Sequence, residues 1–192
     1  MIPMPFHSRT IGSSADGTVE THDGSHVLRF ERYLPHSIEQ VWAAITEPEQ
    51  LVSWLAEAEI DLSLGGHVRL RWLNADEQGN RAVMNATITQ LEPPRLLEYA
   101  GDIHGTLRFE LREEASGCIL TFSSTLPASN AGLPLQLAGW HTHLDFLAEA
   151  LNGQAVDWPH WPIDRWTRHY ERYAQKRRAK QEGDHSSQKG NL

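Results

Sequence analysis

His141 and Asp145 lie four positions apart in a stretch of helical periodicity, so both fall on one helix face. An imidazole beside a carboxylate is an acid/base pair, and both groups are ligands for divalent metals. His143 is expected to point away from that face. The pair has no HExxH spacing and no third ligand evident in the sequence, so no metal or other cofactor is expected. His141 would instead be the polar group that orients a guest in an apolar interior.

Other chemistries find less support. Cys118 is the sole cysteine, which excludes an internal disulfide, and Cys118-Ile-Leu-Thr-Phe122 reads as a buried strand. The chain has no Gly-x-Ser-x-Gly, and no serine stands near a histidine as nucleophilic catalysis requires, so no catalytic residue is assigned. Gly65-Gly66 lacks the Lys-Ser/Thr of a phosphate-binding loop and reads as a turn. Arg69 and Arg71 alternate with Val68, Leu70 and Trp72 and should face water beside acidic neighbours.

The elements that must position these groups are legible in order. Pro35 ends a strand, Ser37 caps a helix bearing Ile38, Val41, Trp42 and Ile45, and Thr46 is expected to cap a second short helix opening at Pro48. Strands follow at 60–64 and 67–72 around Gly65-Gly66, then at 81–91, 96–99, 104–112 and 119–126, forming an antiparallel meander. From about Leu133 to Leu151 the period changes. Leu137, Trp140, Leu144, Leu147 and Leu151 recur at three and four, giving a long amphipathic helix that stops before Gly153. A one-sided sheet and a one-sided helix bury their apolar faces on each other, an α+β arrangement.

The expected organisation is a flexible lead-in at 1–25, one domain at 26–153, an aromatic link and final helix at 154–180, and a disordered tail at 181–192. Trp158 and Trp161, with the helical stripe Trp166, Tyr170 and Tyr173, either clasp the domain or meet a partner. Charge narrows the partners. Residues 1–164 carry 22 acidic and nine basic side chains, a net of −13, whereas 165–180 carry seven bases and one acid. An acidic body excludes nucleic acid as the partner of the domain. Without a secretory leader or an apolar run of about 20 residues, the chain is expected to be cytoplasmic and off the membrane, as a monomer or homodimer.

Residues 27–152 resemble the Hsp90-ATPase-activator-like branch of the START/Bet v 1-like (SRPBCC) superfamily. The resemblance is carried by Arg32, Pro35, Val41-Trp42, Glu47-Pro48, Trp54, Asp61-Leu-Ser-Leu-Gly-Gly66, Leu91-Glu-Pro-Pro-Arg-Leu96, Gly139-Trp140, Leu144-Asp145, Leu147 and Leu151. It implies the helix-grip fold, a curved antiparallel sheet around a long C-terminal helix with a cavity between them. Trp54, Trp72, Met84, Phe109, Phe122, Trp140, His141 and Leu144 are the expected lining, chosen as large apolar or orienting residues on the inner faces. The function implied is non-enzymatic binding of a small hydrophobic or aromatic molecule. The resemblance also implies two alternatives: from the branch, a stress-response co-chaperone acting on Hsp90 through its surface, and from the wider superfamily, a cyclase- or hydrolase-like enzyme using the cavity. The eukaryotic activators carry a separate N-terminal domain, whereas residues 1–25 alone precede the first expected strand here.

Overall fold

The computed structural model describes residues 15–189. Eight antiparallel strands form one curved sheet in the order β1-β2-β8-β7-β6-β5-β4-β3. The strands are β1 (Thr18–His22), β2 (Ser25–Leu34), β3 (Ala56–Ile60), β4 (His67–Trp72), β5 (Val83–Glu92), β6 (Leu96–Gly101), β7 (Thr106–Glu114) and β8 (Gly117–Pro127). Strict alternation puts Leu28, Phe30 and Leu34 of β2 on the inner face with Cys118, Leu120, Phe122 and Ser124 of β8, and Leu107, Phe109 and Leu111 of β7 join them. On the outer face Arg69 pairs with Glu59 and Arg71 with Glu57, as their alternation predicts.

Two short helices close one side. α1 (Ile38–Thr46) begins in a full capping box: the Ser37 hydroxyl accepts from the Gln40 N–H at 3.2 Å, and the Gln40 side chain accepts from the Ser37 N–H at 3.0 Å. Replacing Ser37 by alanine is expected to cost about 1 kcal/mol, read as a lower urea midpoint with an unchanged slope. α2 (Pro48–Leu51) starts without the expected Thr46 cap. The Thr46 hydroxyl donates instead to the Trp42 carbonyl at 2.7 Å, because Thr46 is still the last residue of α1.

The turn after β3 is longer than a two-residue hairpin. The strand stops at Ile60, and residues 61–66 fold into a loop in which Gly65 takes φ +81°. A Cβ on Gly66 would come within 2.0 Å of the Asp61 carbonyl oxygen, so the second glycine is a matter of close backbone approach. Leu62 and Leu64, expected in a strand, stand 41% and 72% exposed on this loop.

α3 (Leu133–Leu151) lies across the inner face, and α4 (Ile163–Lys189) packs on α3. Between them a single 3-10 turn spans Trp158–His160. The link is tied down: the Trp158 indole N–H donates to the Val52 carbonyl at 2.7 Å and the Val156 N–H to the Ser53 carbonyl at 3.0 Å. No helix among the described residues is long and apolar enough to cross a membrane.

Three expectations are corrected here. The lead-in contains β1, paired with β2 through a two-residue turn at Asp23-Gly24; Thr18–His22 is polar and mostly exposed, so it has no apolar alternation to mark it. The expected tail does not begin at 181, because the helix-forming run after Asp164 carries α4 on to Lys189. Residues 1–14 and 190–192, the remainder of both expected segments, lie outside the described residues. α3 is not amphipathic in its setting: the sheet covers one side, while the link and α4 cover much of the rest, so Leu137, Ala138, Trp140, His141, Thr142, His143, Leu144, Phe146 and Leu147 are all buried.

Candidate functional site

The eight expected lining residues are all inside, none more than 6% exposed. Five aromatic rings form a continuous layer between sheet and helix. Phe109 meets Phe122 at 5.0 Å between centroids, Phe122 meets Trp140 at 4.5 Å, Trp140 meets Trp72 at 6.4 Å, and Trp72 meets His104 at 4.8 Å. These are contact separations for rings. Met84 packs on Gly101, where a Cβ would meet its sulfur at 2.5 Å. Trp54 belongs to a different layer: its indole N–H donates to the Ala44 carbonyl of α1 at 2.8 Å. It borders a crevice of about 130 Å³ with Ala44, Glu49, Gln50, Ser53, Ala150 and Leu151. That is below the roughly 300–1,000 Å³ of an ordinary small-molecule site.

Sequence reasoning missed the imidazoles that meet this layer. His143 points away from the His141–Asp145 face, as expected, yet it is 4% exposed, with its ring 6.3 Å from Trp140, 5.8 Å from Phe146 and 6.3 Å from Trp158. The link passing over that side of α3 is what buries it. Its Nδ1 sits 2.9 Å from the Gly139 carbonyl, which only accepts, so Nδ1 carries the proton and Nε2 is left as a lone pair. That buried Nε2 has no hydrogen-bond donor among the described residues. His104 faces Trp140 at 5.7 Å and bonds the Gln136 side chain at 3.1 Å.

Burial pushes the His143 ring down to about 4, opposed by its bond to Gly139 and reinforced by His104. Burial lowers His104 as well, with Gln136 and Asp102 acting in the other direction. Between pH 4 and the ordinary histidine value near 6.5 the unfolded chain therefore binds protons that the folded chain refuses. The stability from neutral His143 is complete above about pH 6.5 and drains away towards pH 4, by about 3 kcal/mol. Urea unfolding at pH 7 and pH 4.5 measures the loss, and His143→Leu should flatten the dependence; an equally steep variant would place the effect elsewhere.

His141 turns the opposite way, towards α4. Its ring stacks on His169 at 3.8 Å between centroids, and its Nδ1 lies 2.7 Å from the Tyr173 hydroxyl. That hydroxyl accepts from the Gly17 N–H at 2.7 Å. The His141 Nε2 is 3.8 Å from Asp145, whose other oxygen takes the His169 Nε2–H at 3.0 Å. The tautomer follows because Arg172, which can only donate, bonds the His169 Nδ1 at 2.9 Å. Asp16 completes the cluster, with Arg172 at 2.7 Å and Lys176 beside it. Although burial pushes the Asp16 carboxyl up, the bonds from Lys176 and Arg172 hold it below the usual range.

Arg32 enters this cluster from the inner face of β2, 7% exposed. One nitrogen donates to the Ala15 and Glu31 carbonyls at 2.8 and 2.9 Å, while Nε and Nη2 are buried without hydrogen-bond partners among the described residues. Burial, Arg32, Arg172 and His169 all hold the His141 ring neutral, with Asp145 pulling the other way. The sequence paired His141 with Asp145 and left out His169. Its signal was present: positions 166, 169, 170 and 173 form one i, i+3, i+4, i+7 stripe, and a polar residue inside an aromatic stripe is a buried one.

Residues 35–152 match the family model described as activator of Hsp90 ATPase homolog 1-like protein. Among solved structures, the chain is similar to EF2215, a protein of unknown function from Enterococcus faecalis, at 23% identity and a TM-score of 0.63, over 83% of this chain and 89% of that one. CalU16 from Micromonospora echinospora aligns at 25% identity and a TM-score of 0.57, over 79% and 86%. An AHSA1-like protein from Aeromonas hydrophila aligns at 22% and 0.58, over 66% and 92%. No curated protein matches. The family span leaves out Asp16, Arg32, His169, Arg172, Tyr173 and Lys176, so of the α3–α4 cluster His141 and Asp145 alone lie within it.

Proposed function

The chain belongs to the activator of Hsp90 ATPase homolog 1-like family, and from that premise we propose that it binds a small hydrophobic or aromatic molecule between the sheet and α3 without transforming it. The guest carries a hydrogen-bond donor and lies against Trp72, His104, Trp140 and His143. One observation carries the reading: the His143 Nε2 lone pair is buried among rings and lacks a donor among the described residues. A buried acceptor left unpaired costs roughly 1–3 kcal/mol, which a hydroxyl or N–H on a flat guest would recover. Trp158, held from one side by Val52, is the element whose displacement admits it.

Thermal-shift screening with flavonoids, aromatic acids and lipids tests the proposal. A guest at 100 times its dissociation constant should add about 2.7 kcal/mol, a rise of several degrees. His143→Leu should remove the shift given by hydroxylated aromatics. Silence across the whole panel would sink the reading.

A second reading, a co-chaperone acting on Hsp90 through its surface, draws on the neighbouring exposed Leu62 and Leu64. Pull-down with the host Hsp90 homologue and an ATPase assay separate the two: stimulation lost in Leu64→Ser would favour the surface.

A further inference from the structure

We propose that His141, Asp145 and His169 form a binding site for a divalent transition metal of the zinc type. The site is separate from the ring layer and does not depend on the small-molecule reading. Two imidazoles and a carboxylate are a donor set that suits zinc and its late first-row neighbours. One ligand atom from each residue can be chosen so that all lie within 4.8 Å of one another. The His141 Nε2 is 3.8 Å from Asp145 and the His169 Nε2 is 3.0 Å from it. Those distances bracket the roughly 3.3 Å between ligands of a tetrahedral centre with bonds near 2.0–2.1 Å. Small side-chain shifts would close the set around an ion, leaving a fourth position for water.

The surroundings of His141 are those of a metal ligand. A ligating imidazole turns its other nitrogen to an acceptor that fixes the ring and strengthens the donor. The His141 Nδ1 faces the Tyr173 oxygen at 2.7 Å and the Asp16 carboxylate at 3.8 Å. Both helices are anchored, α3 on the sheet and α4 through Tyr173 to Gly17, so the donors are held before any ion arrives.

Arg172 is the competitor. It donates to the His169 Nδ1, which keeps the proton on Nε2 and directs it at Asp145. Coordination through Nε2 moves that proton to Nδ1 with no net loss, and Arg172 turns fully to Asp16, its partner at 2.7 Å. Arg32 and Arg172 also repel a cation. The metal therefore binds against a standing internal latch, and weakening the latch should tighten binding.

The test uses the full chain, stripped with a chelator, then titrated with Co²⁺ by visible absorption and with Zn²⁺ by calorimetry. One equivalent of Co²⁺ should give the intense bands of a tetrahedral site. His169→Gln should weaken binding at least about tenfold, and Arg172→Gln should strengthen it. His160→Gln, an exposed histidine on the link, should change nothing. If His169→Gln fails to fold by circular dichroism, Asp145→Asn carries the same expectation. Undiminished binding in a folded His169→Gln or Asp145→Asn variant, or no cobalt bands in the parent chain, overturns the assignment.

Discussion

Trp140→Ala is expected to lose about 3–5 kcal/mol of stability, the range for truncating a buried tryptophan. Trp140 is 4% exposed and contacts Phe122, Trp72, His104 and His143, so its removal opens a void at the centre of the ring layer. Against a domain stability of about 5–15 kcal/mol that is a large share. Urea unfolding should show a lower midpoint at an unchanged slope. A loss under about 1 kcal/mol would mean that the rings close over the gap. A layer that adaptable would be able to admit a guest without displacing Trp158.

Asp145→Ala is expected to be nearly as damaging, at about 3–5 kcal/mol, the cost of removing one partner from a buried charged cluster. Its carboxylate accepts from His169 and lies near Arg32 and His141, and its side chain is 15% exposed. Without it, Arg32 and Arg172 are left with Asp16 as the acidic counterpart in this cluster. The isosteric Asp145→Asn should lose less, because an amide oxygen still accepts the His169 proton. A double-mutant cycle with His169→Ala should return a coupling above about 0.5 kcal/mol. Additive losses would show that Asp145 and His169 are not coupled, leaving the His141–Tyr173 bond and packing to join the two helices.

Much of the sheet was readable because its strands face water on one side and the core on the other. The alternation of Leu107, Phe109 and Leu111 with charged neighbours places β7 almost residue by residue. Periodicity failed where no apolar face exists, as in Thr18–His22. There the Asp23-Gly24 dipeptide, a strong hairpin signal, carried the information instead. Periodicity gave the direction of His143 but not its burial, because the side of α3 that the sheet leaves uncovered is sealed by residues 154–173, and a helix read alone shows no sign of a second cover. The burial of the residues expected to line a cavity was legible because large apolar side chains on inner faces go inside. Their tight contacts depend on distances between strands that no local pattern contains. The stripe of α4 marks His169 as buried, but its partners Asp145 and His141 lie 24 and 28 residues away on another helix, so no local pattern joins them.

The bonds from Gly17 to Tyr173 and from Asp16 to Lys176 join positions 156 and 160 residues apart. They make the fold a closed circuit, in which one end of the described chain fastens the other. A polypeptide made from its amino end exposes Asp16 and Gly17 long before their partners exist, so this closure belongs to the last stage of assembly. Unfolding that begins by peeling α4 away would also release the strand at the far edge of the sheet. Two dyes, one near each end, would therefore separate at the first step of denaturation, before the ring layer opens.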